Sequence, residues 1–126
     1  MIFYCMNCWA EIAEHCEICP ECGAIQEQLL KEDFDKKLIR ALNHPEPETV
    51  LRAIEIIGNR QLNEALPYLK KIVVEHNDPF RTAHALEAVS KLEVPDKLTF
   101  IQEYTNEEYG FIINKTAKEL VQKLTR

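Results

Sequence analysis

The sequence has few glycines, no long apolar run and no leader segment. Only three of its 126 residues are glycine and 29% are charged, which argues against a long flexible tail. No apolar run reaches the roughly 20 residues that a membrane-spanning helix needs, and no basic-then-apolar leader precedes the first cysteines. We therefore expect a folded cytoplasmic protein, built as one modest domain or as a very small domain followed by a repeat array.

Basic residues are also in short supply. The chain has 15 lysines and arginines against 21 aspartates and glutamates, which gives a formal net charge of −6 at pH 7. Nucleic-acid phosphates attract positively charged surfaces, so nucleic acid is not the default partner, although a local basic strip could still contact it. The hydrophobic fraction of 46% is ordinary for a globular protein and sufficient for a core.

Cysteine is absent after Cys22, and all five cysteines lie in the first 22 residues. This crowding is typical of a metal site in a reducing compartment rather than of a disulfide framework. Cys5 with Cys8 and Cys19 with Cys22 form two Cys-x-x-Cys pairs, offset by 14 residues. Together they can complete the four-thiolate shell that Zn²⁺ prefers. We predict one structural zinc ion here, supplying on the order of 10 kcal/mol of folding free energy to a segment too small to fold unaided.

The fifth cysteine, Cys16, makes a second choice of ligands possible, because Cys16-Glu-Ile-Cys19 is also a Cys-x-x-Cys pair. Choosing it would leave out Cys22, which lies between Pro20 and Gly23 in the arrangement of a metal-binding turn. We therefore assign Cys16 as a spare thiol. It is either a small turn residue, a redox sensor or an alternate ligand.

The first segment resembles the short zinc-ribbon family over about residues 4 to 25. The resemblance rests on Tyr4, the run Ala10-Glu11-Ile12 and the motif Cys-Pro-x-Cys-Gly at 19–23. It implies a closed structural metal site with no position left open for catalysis. The sequence departs from the family at Trp9, where glycine is usual, so the first turn must form without the permissive residue.

The surface of this ribbon is predicted to be acidic and partly apolar. It carries several glutamates and no lysine or arginine, which makes it a poor phosphate-binding surface. Phe3, Met6 and Trp9 offer an apolar contact, either to another molecule or to the helices that follow.

The rest of the chain repeats one helical pattern with a period of 32 residues. The stretch from 80 to 92 is rich in alanine and apolar around a broad face, which predicts a helix packed between two neighbours. Pro47 and Pro79 are 32 residues apart, and Ala85 has counterparts at Ala53 and Ala117. The helix therefore occurs three times, and each copy follows another apolar helix. The pattern predicts six helices in three antiparallel pairs. We expect Gly58-Asn59 to form a left-handed cap after the first repeated helix.

These pairs resemble HEAT repeats, in particular the compact variety of the phycobilisome-lyase HEAT-like group. The resemblance rests on the run Arg-Ala-Ile-Glu-Ile-Ile-Gly at 52–58 and on the Asx-Pro turn before the repeated helix, and it is looser in the third repeat. It implies a mainly α fold, an α-solenoid of three HEAT-like helical hairpins behind a small zinc ribbon. We divide the chain into a ribbon over 1–25 and a solenoid over 26–126.

The second helix of each pair is expected to line the concave side of the solenoid. Residues at equivalent positions there could form a mixed, mildly basic groove: Arg52, His84 and Thr116, and one row over Asn59, Lys91 and Lys123. The alternative is an ordinary solvated helix face supported by i,i+4 glutamate–lysine pairs. The last helix carries an excess of basic residues, Lys115, Lys118, Lys123 and Arg126. They either complement the helix dipole or contact an acidic partner or RNA.

These patterns predict a non-enzymatic protein–protein interaction module with a structural zinc site. The alternative is an RNA- or ribosome-associated factor that docks through the basic last helix. The lyase activity of a few HEAT-like proteins is not implied, because the sequence offers no recognisable pair of nucleophile and base. No small-molecule substrate or membrane contact is predicted, and the protein partner is not identified by the sequence.

Overall fold

The computed structural model describes residues 3–75 and 77–125 of the chain. A two-stranded antiparallel sheet, β1 (Phe3–Tyr4) and β2 (Glu11–Ile12), pairs Phe3 with Ile12 and Tyr4 with Glu11. Helices follow in the order α1 (Gln26–Leu30), α2 (Phe34–Ala41), α3 (Pro47–Asn59), α4 (Leu66–Glu75), α5 (Pro79–Lys91), α6 (Lys97–Gln102) and α7 (Phe111–Leu124). Short 3₁₀ turns occupy Asn63–Ala65, Glu103–Thr105 and Glu107–Tyr109. The prediction of a mainly α fold with a small N-terminal β-hairpin is confirmed.

The chain divides into two compact units, residues 1–50 and 51–126. In the first unit, Leu29 of α1 packs with Cys5 and Cys19 in a small buried cluster, joined by the partly buried Met6 and Ile12. This cluster joins the cysteine segment to the first helix of the chain by apolar contacts.

The apolar positions from Leu29 to Leu42 recur at helical spacing, but they belong to two helices and not to one. Helix α1 ends at Leu30, and α2 begins after Asp33, whose side chain accepts a hydrogen bond of 2.9 Å from the backbone N–H of Lys36. An aspartate at this position satisfies one of the free N–H groups of a new helix, so it favours a fresh start over continuation.

The second unit is organised around α5. Its buried residues point to both sides of the helix and are Thr82, Ala83, Ala85, Leu86, Ala88 and Val89. Helix α5 packs against both α4 and α7, which confirms the prediction of a helix held between neighbours. Asp78 caps α5 by accepting from the backbone N–H groups of Phe80 and Arg81 at 2.9 and 3.4 Å.

The prediction of a left-handed cap at Gly58-Asn59 is wrong. Helix α3 continues through both residues, and the left-handed conformation falls on Gln61, whose φ is 54°. Gly58 serves close packing instead, because a Cβ at this position would lie 3.0 Å from the Cα of Ala88 in α5. The absence of a side chain lets these two helices approach each other.

Candidate metal centre and helical groove

The first cysteine pair lies on a tight turn that follows β1. Cys5 accepts a 2.8 Å hydrogen bond from the N–H of Trp9 through its carbonyl, and its own N–H donates to Ala10 O at 2.9 Å. Trp9 has a φ of 62°, in the left-handed region. The turn therefore forms as the cysteine spacing predicts, with tryptophan in the conformation that glycine usually adopts.

The second pair repeats this turn with an offset of 14 residues. Gly23 N–H donates to Cys19 O at 2.9 Å, and Cys19 N–H donates to Ala24 O at 3.0 Å. Gly23 has a φ of 77°. A β-bridge between Ile18 and Ile25 occupies the place that the pairing of Tyr4 with Glu11 has in the first turn. Two equivalent turns thus deliver two sulfurs each from opposite sides.

The four sulfur atoms of these turns converge. The Sγ atoms of Cys5, Cys8, Cys19 and Cys22 all lie within 4.8 Å of one another. The Cys5–Cys22 and Cys8–Cys19 sulfur pairs are 3.6 and 3.7 Å apart. These are free cysteines at distances too long for a disulfide bond. The group can hold a metal ion.

Cys16 stands outside this group. Its thiol donates a 3.0 Å hydrogen bond to the carbonyl of Ile18, and the side chain is partly exposed. Among the described residues, the metal-competent cluster contains the other four cysteines.

The surroundings of the thiols act on their acidities in opposite directions. Burial opposes ionisation of Cys5, but hydrogen bonds from the N–H groups of Cys8 and Asn7 and from the Gln26 amide lower its pKa to about 6. For Cys8, the Ala10 N–H favours the thiolate, yet burial and the three neighbouring sulfurs raise the pKa to about 12. Four thiolates at these distances repel one another, and a bound cation removes that repulsion.

Two side-chain amides point at the cluster from outside the ligand set. Gln26, the first residue of α1, donates to Cys5 Sγ at 3.2 Å. Asn7 donates to Cys22 Sγ at 3.5 Å, and this hydrogen bond is the main cause of a lowered pKa of Cys22. Donors of this kind stabilise the charged form of a ligand and orient it.

Within the first unit, the cysteine segment also contacts α2 and the residues after it. Trp9 Nε1 donates a 2.7 Å hydrogen bond to the carbonyl of Arg40. The Trp9 ring centroid lies 4.7 Å from that of His44, and the Tyr4 ring lies 5.1 Å from the same imidazole. The sequence left two contacts open for Trp9, one with another molecule and one with the helices that follow. The structure shows the contact with the helices that follow.

In the second unit, two adjoining depressions lie along α5, the first between α3 and α5 and the second between α5 and α7. We call them the groove. The first, of about 220 Å³, is lined by Glu55, His84, Glu87, Ala88 and Lys91. The second, of about 380 Å³, is lined by Glu87, Ser90, Lys91, Thr116, Glu119, Leu120, Lys123 and Leu124. Four of the residues named from sequence, His84, Lys91, Thr116 and Lys123, thus lie in one continuous lining. That lining carries three glutamates and two lysines, so it is mixed rather than basic.

Other residues named from sequence have different surroundings. Arg52 is exposed on α3 and does not line either depression. Lys91 Nζ donates to Asn59 Oδ1 at 2.9 Å, from one repeat to the preceding one. Lys115 and Lys118 are exposed, with Lys115 Nζ 5.9 Å from the centroid of the Phe111 ring. Arg126 lies outside the described residues.

Sequence reasoning missed the residues that surround the metal-competent sulfurs. Asn7, Gln26 and Arg40 reach this site through side-chain hydrogen bonds that span up to 33 residues of sequence. No spacing rule marks such positions. The one available signal was Trp9, a large side chain at a turn position that needs a neighbour to pack against.

The comparison with protein families agrees with this architecture. The HEAT repeat family model matches residues 36–121, so the chain belongs to the HEAT repeat family. No curated protein and no solved structure matches the chain significantly. In the part of the chain that the structure describes, no helix has the length and apolar character needed to cross a membrane.

Proposed function

We propose that this protein is a non-enzymatic cytoplasmic adaptor that binds a protein partner through the groove and carries one structural Zn²⁺. The observation that supports partner binding is the continuous groove lining contributed by α3, α5 and α7 in a HEAT repeat array. Solenoids of this kind present extended surfaces to their partners. We keep the division into a ribbon over 1–25 and a solenoid over 26–126 as part of this proposal.

The sulfur geometry supports zinc as the metal. A tetrahedral ion with Zn–S bonds of about 2.3 Å separates its ligand sulfurs by about 3.8 Å. The distances of 3.6 Å between Cys5 and Cys22 and 3.7 Å between Cys8 and Cys19 are close to that separation, and all four sulfurs lie within 4.8 Å of one another. Four protein ligands fill the shell, which leaves no position for a water or a substrate. The ion would hold the ribbon together and would take no part in a reaction.

The partner expected for the groove has charges of both signs. The second depression is lined by two lysines, Lys91 and Lys123, and two glutamates, Glu87 and Glu119, and Leu120 and Leu124 supply apolar contact. A matching protein surface would combine acidic and basic side chains around an apolar centre. Such complementarity governs specificity and association rate more than total affinity.

We expect the double variant Lys91→Glu/Lys123→Glu to lose most of the partner captured by the wild type. Reversing two charges in the groove places like charges opposite each other in the complex, which costs several kcal/mol. Capture from native cells on immobilised protein, quantified by mass spectrometry against the wild type, measures the loss. Helical content by circular dichroism reports whether the variant is folded.

The control is Lys115→Glu/Lys118→Glu, which makes the same change of charge on exposed residues of α7 outside the groove lining. It should retain the partners that the groove variant loses. Equal capture by the wild type and the folded groove variant would contradict the groove as the binding surface.

The alternative is contact with RNA or the ribosome through Lys115, Lys118 and Lys123. It has weaker support, because at about 100° per residue Lys118 and Lys123 are about 140° apart around α7. Lys115 lies between them around the helix, so the three lysines spread over a broad arc rather than a narrow strip. If the alternative holds, RNA retained at low salt will be released by salt and lost in the variant carrying glutamate at all three positions. No retention by the wild type at low salt would exclude it.

A further inference from the structure

A series of hydrogen bonds connects the Cys22 thiol to helix α2. The Asn7 amide donates to Cys22 Sγ at 3.5 Å through Nδ2. The Asn7 Oδ1 accepts from the Arg40 guanidinium at 2.7 Å. Arg40 in turn donates to both carboxylate oxygens of Glu32, at 2.7 and 2.8 Å. All four residues belong to the first compact unit.

Each link in this series fixes the orientation of the next. Two charge-assisted hydrogen bonds in a fork hold the guanidinium in one position. The guanidinium has donors only, so it selects the oxygen end of the Asn7 amide and turns the NH₂ end toward the sulfur. An amide polarised by a cation on its oxygen is also a stronger donor through its nitrogen. The Asn7 side chain is therefore held in the orientation that supports a thiolate at position 22.

We propose that Glu32, Arg40 and Asn7 are positioning residues of the metal site, which link the metal affinity of the ribbon to helix α2 of the HEAT repeat region. The inference rests on the proposed zinc site and adds a link between that site and a helix. Since coupling between two events is reciprocal, a bound ion also favours the position of Arg40. Losing the ion would then weaken the contact of α2 with the ribbon.

Through this link, Arg40 helps to orient the hydrogen-bond donor of Cys22, which lies 18 positions earlier in the chain. Helix α2 overlaps the start of the HEAT match at residue 36. A second contact runs in parallel, from Trp9 Nε1 to the Arg40 carbonyl. Trp9 is the only tryptophan in the chain, so its fluorescence reports on this contact without labelling.

The test is the Zn²⁺ affinity of purified full-length variants, measured by competition with a chromophoric chelator. We expect Arg40→Met to lower the Zn²⁺ affinity about tenfold. This is the low end of the loss usually caused by mutating residues that hold metal ligands in place, and we choose it because Arg40 and Glu32 are partly exposed. Glu32→Gln should lower it less, because it leaves Arg40 in place with one charge-assisted partner lost. Lys36→Met is the matched control. It removes the same charge from an exposed position of the same helix and should leave the affinity unchanged.

A double-mutant comparison separates positioning from general destabilisation. Arg40→Met should have almost no further effect in an Asn7→Ala background, because its route to Cys22 is already broken. It should keep its full effect in a Gln26→Ala background, because Gln26 reaches Cys5 by an independent hydrogen bond. In Co²⁺-loaded protein, the thiolate-to-metal absorption band should move with Asn7→Ala and with Arg40→Met, and stay in place with Lys36→Met.

The outcomes are distinguishable. A wild type that binds no zinc would overturn the proposed metal site and this inference together. Normal zinc binding by the wild type, with unchanged affinity in Arg40→Met and Glu32→Gln, would overturn only the positioning role. The positioning role would also be overturned if Arg40→Met and Lys36→Met lowered the Zn²⁺ affinity equally, or if Arg40→Met kept its full effect in the Asn7→Ala background. If Arg40→Met does not fold, Glu32→Gln alone decides the question.

Discussion

Cys19→Ser is expected to abolish metal binding and to unfold the ribbon. Cys19 is buried in the cluster with Cys5 and Leu29, and its sulfur is 3.7 Å from that of Cys8. A segment of about 20 residues cannot bury enough surface to fold alone, so the free energy of metal binding is its folding free energy, on the order of 10 kcal/mol. Replacing one of four ligands removes most of that stabilisation. Metal analysis of the purified protein should fall from one equivalent to none.

The fluorescence of Trp9 reports the unfolding of the ribbon in Cys19→Ser. Its indole N–H donates to the Arg40 carbonyl and its ring lies against His44, and both contacts depend on the turn that a bound metal would close. The emission of Cys19→Ser should shift toward that of a solvated indole, and chelation of the wild type should produce the same shift. The amide signals of residues 3 to 25 should lose dispersion in a two-dimensional NMR spectrum.

The matched control is Cys16→Ser. Cys16 lies in the same segment but outside the four-sulfur group, with its thiol bonded to Ile18 O. This variant should bind one equivalent of metal and keep the wild-type emission. Loss of metal from Cys16→Ser with retention in Cys19→Ser would contradict the assignment of the ligands.

Gly58→Val is expected to destabilise the second unit by about 3 kcal/mol, at the upper end of the usual cost of overpacking. A Cβ at position 58 would meet Ala88 Cα at 3.0 Å, Ala88 Cβ at 3.2 Å and Lys91 Cδ at 3.4 Å. The closest of these is a backbone atom of α5, so the two helices must separate before the side chain fits. The gain in helix propensity from replacing glycine, below about 1 kcal/mol, is smaller than this cost. Urea unfolding followed by circular dichroism measures the loss.

The control substitution is Arg52→Val, on an exposed position of the same helix. It introduces the same β-branched side chain without a packing conflict and should cost less than about 1 kcal/mol. Gly58→Ala should fall between the two. A Gly58→Val variant as stable as the wild type would mean that α3 and α5 do not need the close approach.

Some features of the site were predictable because they depend on neighbours in sequence. Two Cys-x-x-Cys turns place their sulfurs through local hydrogen bonds, such as Trp9 N–H to Cys5 O, so the spacing of Cys5, Cys8, Cys19 and Cys22 predicted a convergent group. The period of 32 residues predicted the repeated helices for a similar reason. Helical periodicity and proline breaks act over a few residues.

Other features depend on residues that meet only after folding. In the sequence, Gly58 follows an apolar run and looks like a helix cap, but it lies inside α3 and packs closely against Ala88. The groove was expected to be mixed and mildly basic, because equivalent positions of successive repeats carry Arg52, His84, Lys91 and Lys123. Residues from neighbouring rows, Glu55, Glu87 and Glu119, complete the lining and change its charge.

The sequence by itself determined the architecture: four cysteines in two equivalent turns, followed by a repeated amphipathic helix. These depend on backbone conformation and on periodic burial, which neighbouring residues encode. Only the tertiary structure decided which side chains surround the sulfurs, which residues share the groove, and why α3 needs a glycine. Hydrogen bonds such as Arg40 to Asn7 join residues far apart in the chain, and their partners are chosen by how the folded elements pack rather than by spacing.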